Sequence, residues 1–132
     1  MSTTPNPTEQ CARLRSALLN LHRTLIALER REYEKFHGRT SSGDFLQVVA
    51  FDDCMKWLEP LSRLIVMLDE ALDPARDAGL TPAVVSARLR ELLSLDRSRE
   101  DEFIQRYLRH FDTAPDLAVE HAAVLKALSA AT

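Results

Sequence analysis

Residues 11–28 read CARLRSALLNLHRTLIAL, and the spacing of their apolar side chains decides the fold. Cys11, Leu14, Leu18, Leu21, Leu25 and Leu28 follow one another at intervals of 3, 4, 3, 4 and 3, the step that returns a side chain to the same face of an α-helix. Upstream, Asn6-Pro7-Thr8-Glu9 places a capping side chain, a proline at the first helical position and a carboxylate three residues after the cap, so the helix is expected to start there. Downstream, Gly38 is the first residue able to end it cheaply. One helix of about 30 residues results, with residues 1–5 as a polar tail and 6–132 as a single domain.

The same period returns further along. Ser41 or Ser42 can cap a short helix that carries Phe45, Leu46, Val48 and Val49 and stops near Phe51. Asp52 or Asp53 can cap a third, in which Cys54, Leu58, Leu61, Ile65, Leu68 and Leu72 repeat at 4, 3, 4, 3 and 4. Pro60 lies inside that run, where a lost backbone bond and a ring clash are expected to kink an otherwise continuous helix. The stretch 73–79 breaks the pattern. Thr81-Pro82 then opens a helix with Val85, Leu89, Leu92 and Leu93 inward, and a linker follows around 95–99. A fifth helix carries Phe103, Ile104, Tyr107, Leu108 and Phe111; beyond Pro115, a sixth carries Leu117, His121, Val124, Leu125 and Leu128.

Composition agrees. The 132 residues include 21 Leu and 16 Ala but only 3 Gly and 6% aromatics, which favours helices and disfavours sheets. The expected fold is therefore all-α: a small bundle of five or six helices, with the long N-terminal helix packed antiparallel on a Pro-kinked third helix. Charge favours that pairing modestly. Residues 8–37 hold six basic and four acidic side chains, whereas 44–77 hold three and eight.

The function classes narrow by chemistry. Seventeen basic against 20 acidic residues give a net charge of −3, with no field to draw nucleic acid or an anionic membrane. Between Thr81 and His110 the arginines of a would-be helix-turn-helix are nearly cancelled by Glu91, Asp96, Glu100, Asp101 and Glu102. No basic n-region with an apolar core opens the chain, and no long apolar run suggests a membrane span. Cys11 and Cys54 lack metal or disulfide spacing and fall on the two apolar seams, so both are expected to be reduced core thiols of a cytoplasmic protein. The preference for Arg over Lys, 14 to 3, suits a GC-rich bacterial genome. No glycine loop cradles a phosphate and no nucleophile elbow occurs. These absences point away from an enzyme, from a cofactor and from a dedicated metal centre.

A second stripe runs beside the leucine seam of the first helix: His22, Ile26, Glu29, Tyr33 and Phe36. Ser62, Val66 and Asp69 recur at the same spacing on the third helix. If the two helices pair, His22, Glu29, Ser62 and Asp69 could meet as a polar pocket for a metal or small ligand, with Tyr33 and Trp57 as further ligand-binding candidates. The same pattern suits a solvated seam edge with ordinary ion pairs. Trp57 beside Pro60 serves equally as core packing. Glu34-Lys-Phe-His37 has the Glu-x-x-His spacing of bundle metal sites, but one copy at a helix end more simply complements the helix dipole. His121, on an apolar face, reads as a hydrogen-bonded core histidine.

Three strings, Leu28-Glu29-Arg30-Arg31-Glu32-Tyr33-Glu34, Trp57-Leu58-Glu59-Pro60-Leu61-Ser62 and Leu64-Ile65-Val66-Met67-Leu68-Asp69-Glu70, resemble a group of small bacterial helical proteins over roughly residues 18 to 73. That resemblance implies a soluble helical protein and carries no activity or site residue with it. Two expectations for function follow. The first is a non-enzymatic protein acting through self-association or a protein partner, a homodimer in its simplest form. The alternative is a metal- or small-ligand-binding bundle with a polar site between the first and third helices.

Overall fold

The computed structural model describes residues 7–73 and 81–130. It contains six α-helices, α1 (Pro7–His37), α2 (Ser42–Phe51), α3 (Glu59–Leu72), α4 (Pro82–Leu92), α5 (Glu102–Thr113) and α6 (Pro115–Ala130), with a 3-10 segment at Asp53–Leu58. No strand occurs among the described residues. The expected tail at 1–5, the Asn6 cap and most of the break at 73–79 lie outside them.

The all-helical bundle is as the periodicity requires. Cys11, Leu14, Leu18, Leu21 and Leu25 are all buried on one face of α1. Beyond Leu25 the buried line passes to Glu29, while Leu28 is only half-buried. From residue 11 to residue 29 the stripe makes five turns in 18 residues, the 3.6 of an unsupercoiled helix, so the 3-4 alternation read from the leucines slips by one position there. A carboxylate thereby lands where the next leucine would sit.

Local chemistry sets the helix ends. Gly38 takes a left-handed φ of 80° and returns its N–H to the Glu34 carbonyl at 2.9 Å. Ser41 caps α2 by accepting from Asp44 N, Thr81 caps α4 by accepting from Val84 N, and Asp101 caps α5 by accepting from Ile104 N. The turn between α1 and α2 is clamped by Thr40 N–H on Glu34 Oε2 at 2.7 Å, by Arg30 Nη2 on the Thr40 carbonyl at 2.5 Å and by Arg30 Nη1 on Ser42 Oγ at 3.3 Å. After α4, Arg99 Nη1 donates to the carbonyls of Glu91 at 2.8 Å, Leu92 at 2.9 Å and Ser94 at 3.2 Å, covering the helix end with a side chain five to eight residues further on.

Pro60 stands at the junction the sequence predicts, but the arm before it differs. Rather than one kinked helix from residue 54, the chain makes the 3-10 segment and then starts α3 afresh with Pro60 in its first turn. A proline ring would collide with the carbonyl four residues back in a continuous helix, whereas at a first turn its missing N–H costs nothing. Glu59 N–H bonds the Lys56 carbonyl in the tighter i to i−3 manner. This also corrects the expected burial of Cys54: three residues per turn puts Met55 and Leu58 inward together, and Cys54 is exposed. Leu125 likewise lies outside the core of α6, at its edge.

Three pairs fix the register of α1 on the α3 arm. Arg15 meets Asp69, His22 meets Ser62 and Glu29 meets Trp57, so one number rises as the other falls and the two run antiparallel. The broadest packing of α1 is nevertheless with α6, and α3 packs on α4. A single apolar cluster unites all six helices and the 3-10 segment, with Leu18, Leu61, Leu89, Tyr107 and Leu117 wholly enclosed. Among the described residues no helix is long and apolar enough to cross a membrane.

Candidate functional site

The polar residues singled out in the sequence divide into separate groups along α1. His22 Nε2 and Ser62 Oγ lie 3.0 Å apart in a half-buried contact, and burial pushes the His22 imidazole below its ordinary pKa. Asp69 forms an ion pair with Arg15, both half-exposed. His22 and Glu29 are seven residues apart, about 10 Å along the helix. Glu29, Ser62, His22 and Asp69 are therefore strung along the α1–α3 seam rather than gathered at a point.

Glu29 is the centre of a different group. Its side chain is 3% exposed, and its two oxygens face different partners. Oε1 accepts from Trp57 Nε1 of the 3-10 segment and lies 3.9 Å from Arg106 Nη1 of α5. Oε2 lies 3.6 Å from His110 Nε2, also of α5. Burial by itself would raise this carboxyl, but the nearby His110 ring, the Trp57 N–H on Oε1 and the charge of Arg106 outweigh it and hold the group below the usual carboxylate range. The next turn adds Glu32, whose Oε2 accepts from Arg109 Nη2 at 2.9 Å. Glu29, Glu32 and His110 offer ligand atoms all within 4.8 Å of one another.

Two shallow clefts flank this cluster. One, of about 340 Å³, is lined by Glu29, Glu32, Tyr33, Phe36, Cys54 and Arg106 among others. The other, of about 360 Å³, is lined by Glu32 and His110 together with Leu28, Lys35 and Pro115. Tyr33 stacks on His37 with ring centres 4.2 Å apart and meets Phe45 edge-on, which fixes the rim of the first cleft. That stacking, with the Thr40 N–H on Glu34, occupies both members of the Glu-x-x-His pair at the helix end. Although Cys54 is exposed overall, the cover over its sulfur, and then Asp52 beside it, push the thiol up to about 11, so it is no thiolate nucleophile at neutral pH.

A second buried polar group lies between α5 and α6. Tyr107 Oη and His121 Nδ1 share a hydrogen bond of 2.6 Å, in keeping with a hydrogen-bonded core histidine. Burial, then the charge of Glu120, push the Tyr107 phenol well up, and burial pushes His121 down. A proton on the phenol and a neutral imidazole are thus the stable pair.

Of the six sequence candidates, then, Glu29 and Trp57 touch each other, Tyr33 shares their cleft, His22 and Ser62 form a pair of their own, and Asp69 binds Arg15. Glu32, Arg106, Arg109 and His110 were missed. His110 had a signal: it is seven residues after Phe103 and three after Tyr107, on the apolar stripe of α5, where a polar side chain needs a buried partner. No protein-family profile, curated protein or solved structure matches this chain.

Proposed function

We propose that this protein is a non-enzymatic helical interaction module that associates with a second copy of itself through α2. The observation that carries this reading is the outer face of α2. Apart from Asp44 in its first turn, the exposed positions of this helix are Ser42, Gly43, Leu46, Gln47, Ala50 and Phe51, none of them charged. Leu46 is 62% exposed and Phe51 78%, and Phe36 near the end of α1 is exposed at 85%. Large exposed apolar side chains such as Leu46 and Phe51, on one short helix with no charge beyond its first turn, are favoured where another surface covers them. A two-fold contact needs no second gene product, because the same face serves both partners.

Ion pairs within the chain also support the reading. Arg97 pairs with Asp112, Arg99 with Asp101 and Arg109 with Glu32, so three of the six arginines between Thr81 and His110 are already balanced by carboxylates, which weakens their attraction for a phosphate backbone. Two free cysteines suit a cytoplasmic setting, bacterial by the composition of the chain. The test is the mass in solution of the wild type against Leu46→Ser/Phe51→Ser. Dissociation of a dimer by these two exposed substitutions supports the proposal. A wild-type monomer at high micromolar concentration, or a dimer indifferent to them, refutes it; capture of a different protein by the same face would replace self-association with a heterologous partner.

A further inference from the structure

We propose that Glu29, Glu32 and His110 bind a divalent transition-metal ion of the Zn2+ type at the crossing of α1 and α5. The proposal is independent of self-association and rests on two observations. The first is the donor set: two carboxylate oxygens and an imidazole nitrogen within 4.8 Å of one another, the mixture that borderline ions such as Zn2+ accept.

The second is His110 itself. Its side chain is 4% exposed, and its Nε2 is buried and makes no hydrogen bond. A buried ring nitrogen without a hydrogen bond is uncommon, because the lost hydration is not replaced. The nitrogen points into the cluster, 3.6 Å from Glu29 Oε2. That gap is too long for a hydrogen bond but close to the edge of a tetrahedral coordination shell, about 3.3 Å for ligands roughly 2.05 Å from the ion. A cation between the two atoms would satisfy both at once.

The surroundings are arranged for such an ion. Trp57 Nε1 binds Glu29 Oε1 and so aims the other oxygen at His110, which is how an outer hydrogen bond orients a metal ligand. Glu32 is half-buried and reaches both clefts, so an ion can enter from solvent and complete its shell with water. Arg106 and Arg109 balance the two carboxylates in the ion's absence. Arg109 is the competitor: it occupies Glu32 at 2.9 Å, and with its side chain 55% exposed it can turn into water when a cation arrives.

The test is a titration of the purified full chain, freed of metal, with Zn2+ followed by native mass spectrometry and with Co2+ followed by visible absorption. One ion per chain is expected, with ligand-field bands on Co2+ and a rise in Tm on saturation. Glu32→Gln, a substitution at the cleft rim that leaves the core intact, should weaken binding at least about tenfold. Arg109→Ala should strengthen it, since the competing guanidinium is gone. Asp69→Asn, on the seam with Arg15, should change nothing. No binding of Zn2+ at about 100 μM, or equal affinity in the wild type and Glu32→Gln, overturns the assignment. A strengthened site in Arg109→Ala is a result that ordinary surface histidine binding would not give.

Discussion

Replacing Trp57 by Phe should expose the energetic role of the buried carboxylate. The ring is 3% exposed, and its Nε1–H is the donor to Glu29 Oε1. A hydrogen bond to a charged group contributes about 1.5–3 kcal/mol, and removing the donor leaves a buried oxygen with Arg106 near it but no hydrogen bond. The smaller ring also leaves a void on the order of 40 Å³, adding roughly 1 kcal/mol. Trp57→Phe should therefore cost about 2.5–4 kcal/mol, a large fraction of a stability expected near 5–15 kcal/mol. In a Glu29→Gln background the acceptor is neutral and its bond is worth about 0.5–1.5 kcal/mol, so the same substitution should cost roughly 1 kcal/mol less. Because Trp57 is the sole tryptophan, urea unfolding is followed by far-UV circular dichroism rather than by fluorescence. Equal costs in the two backgrounds, or a cost below about 1 kcal/mol in the first, would refute the claim that the indole serves the carboxylate.

Three further outcomes are expected. Leu18→Ala, at a wholly enclosed position of α1, should cost about 2–5 kcal/mol in urea unfolding, and a loss near zero would mean that the α1 seam is not the core. Arg99→Ala should cost about 1–2 kcal/mol by taking a donor from the carbonyls of Glu91, Leu92 and Ser94; Arg99→Lys should recover little, since an ammonium cannot reach them while also holding the Asp101 carboxylate as Nε and Nη2 do. His22 and His121 are both held below their ordinary 6.5 by burial, so the unfolded chain takes up protons first on acidification. Their stabilising contribution is complete above that value and drains away as pH falls through it toward the folded values. The urea midpoint should drop between about pH 7.5 and pH 5, with His121→Phe flattening part of the slope; a midpoint that rises over this range contradicts the assignment.

What the sequence made legible was local. The leucine ladder of α1, the caps at Ser41 and Thr81 and the stop at Gly38 each depend on residues within a turn or two of one another, and each stands where the pattern puts it. Cys54 escaped because apolar spacing alone does not separate a 3-10 turn from an α-helix, although the ban on a helical bond at Pro60 was available as a warning. Glu29 and Trp57 were both noticed, yet not as partners. They lie 28 residues apart and meet only because the chain rewinds at the 3-10 segment. Arg109 reaches Glu32 across 77 residues, a placement that depends on how α5 crosses α1 and that no local spacing encodes. The slip of the α1 stripe from Leu28 to Glu29 is subtler. A heptad reading assumes supercoiling, and over 18 residues a straight helix drifts from it by about half a residue, enough to favour Glu29 over Leu28 as the next inward position.

We propose that a second copy of the chain covers α2. Light scattering coupled to size exclusion, run across concentrations on wild type and on Leu46→Ser/Phe51→Ser, tests it most directly. A wild-type particle of twice 14.9 kDa that falls to the single-chain mass in the variant is the expected result. A wild-type mass of one chain at every concentration would contradict it.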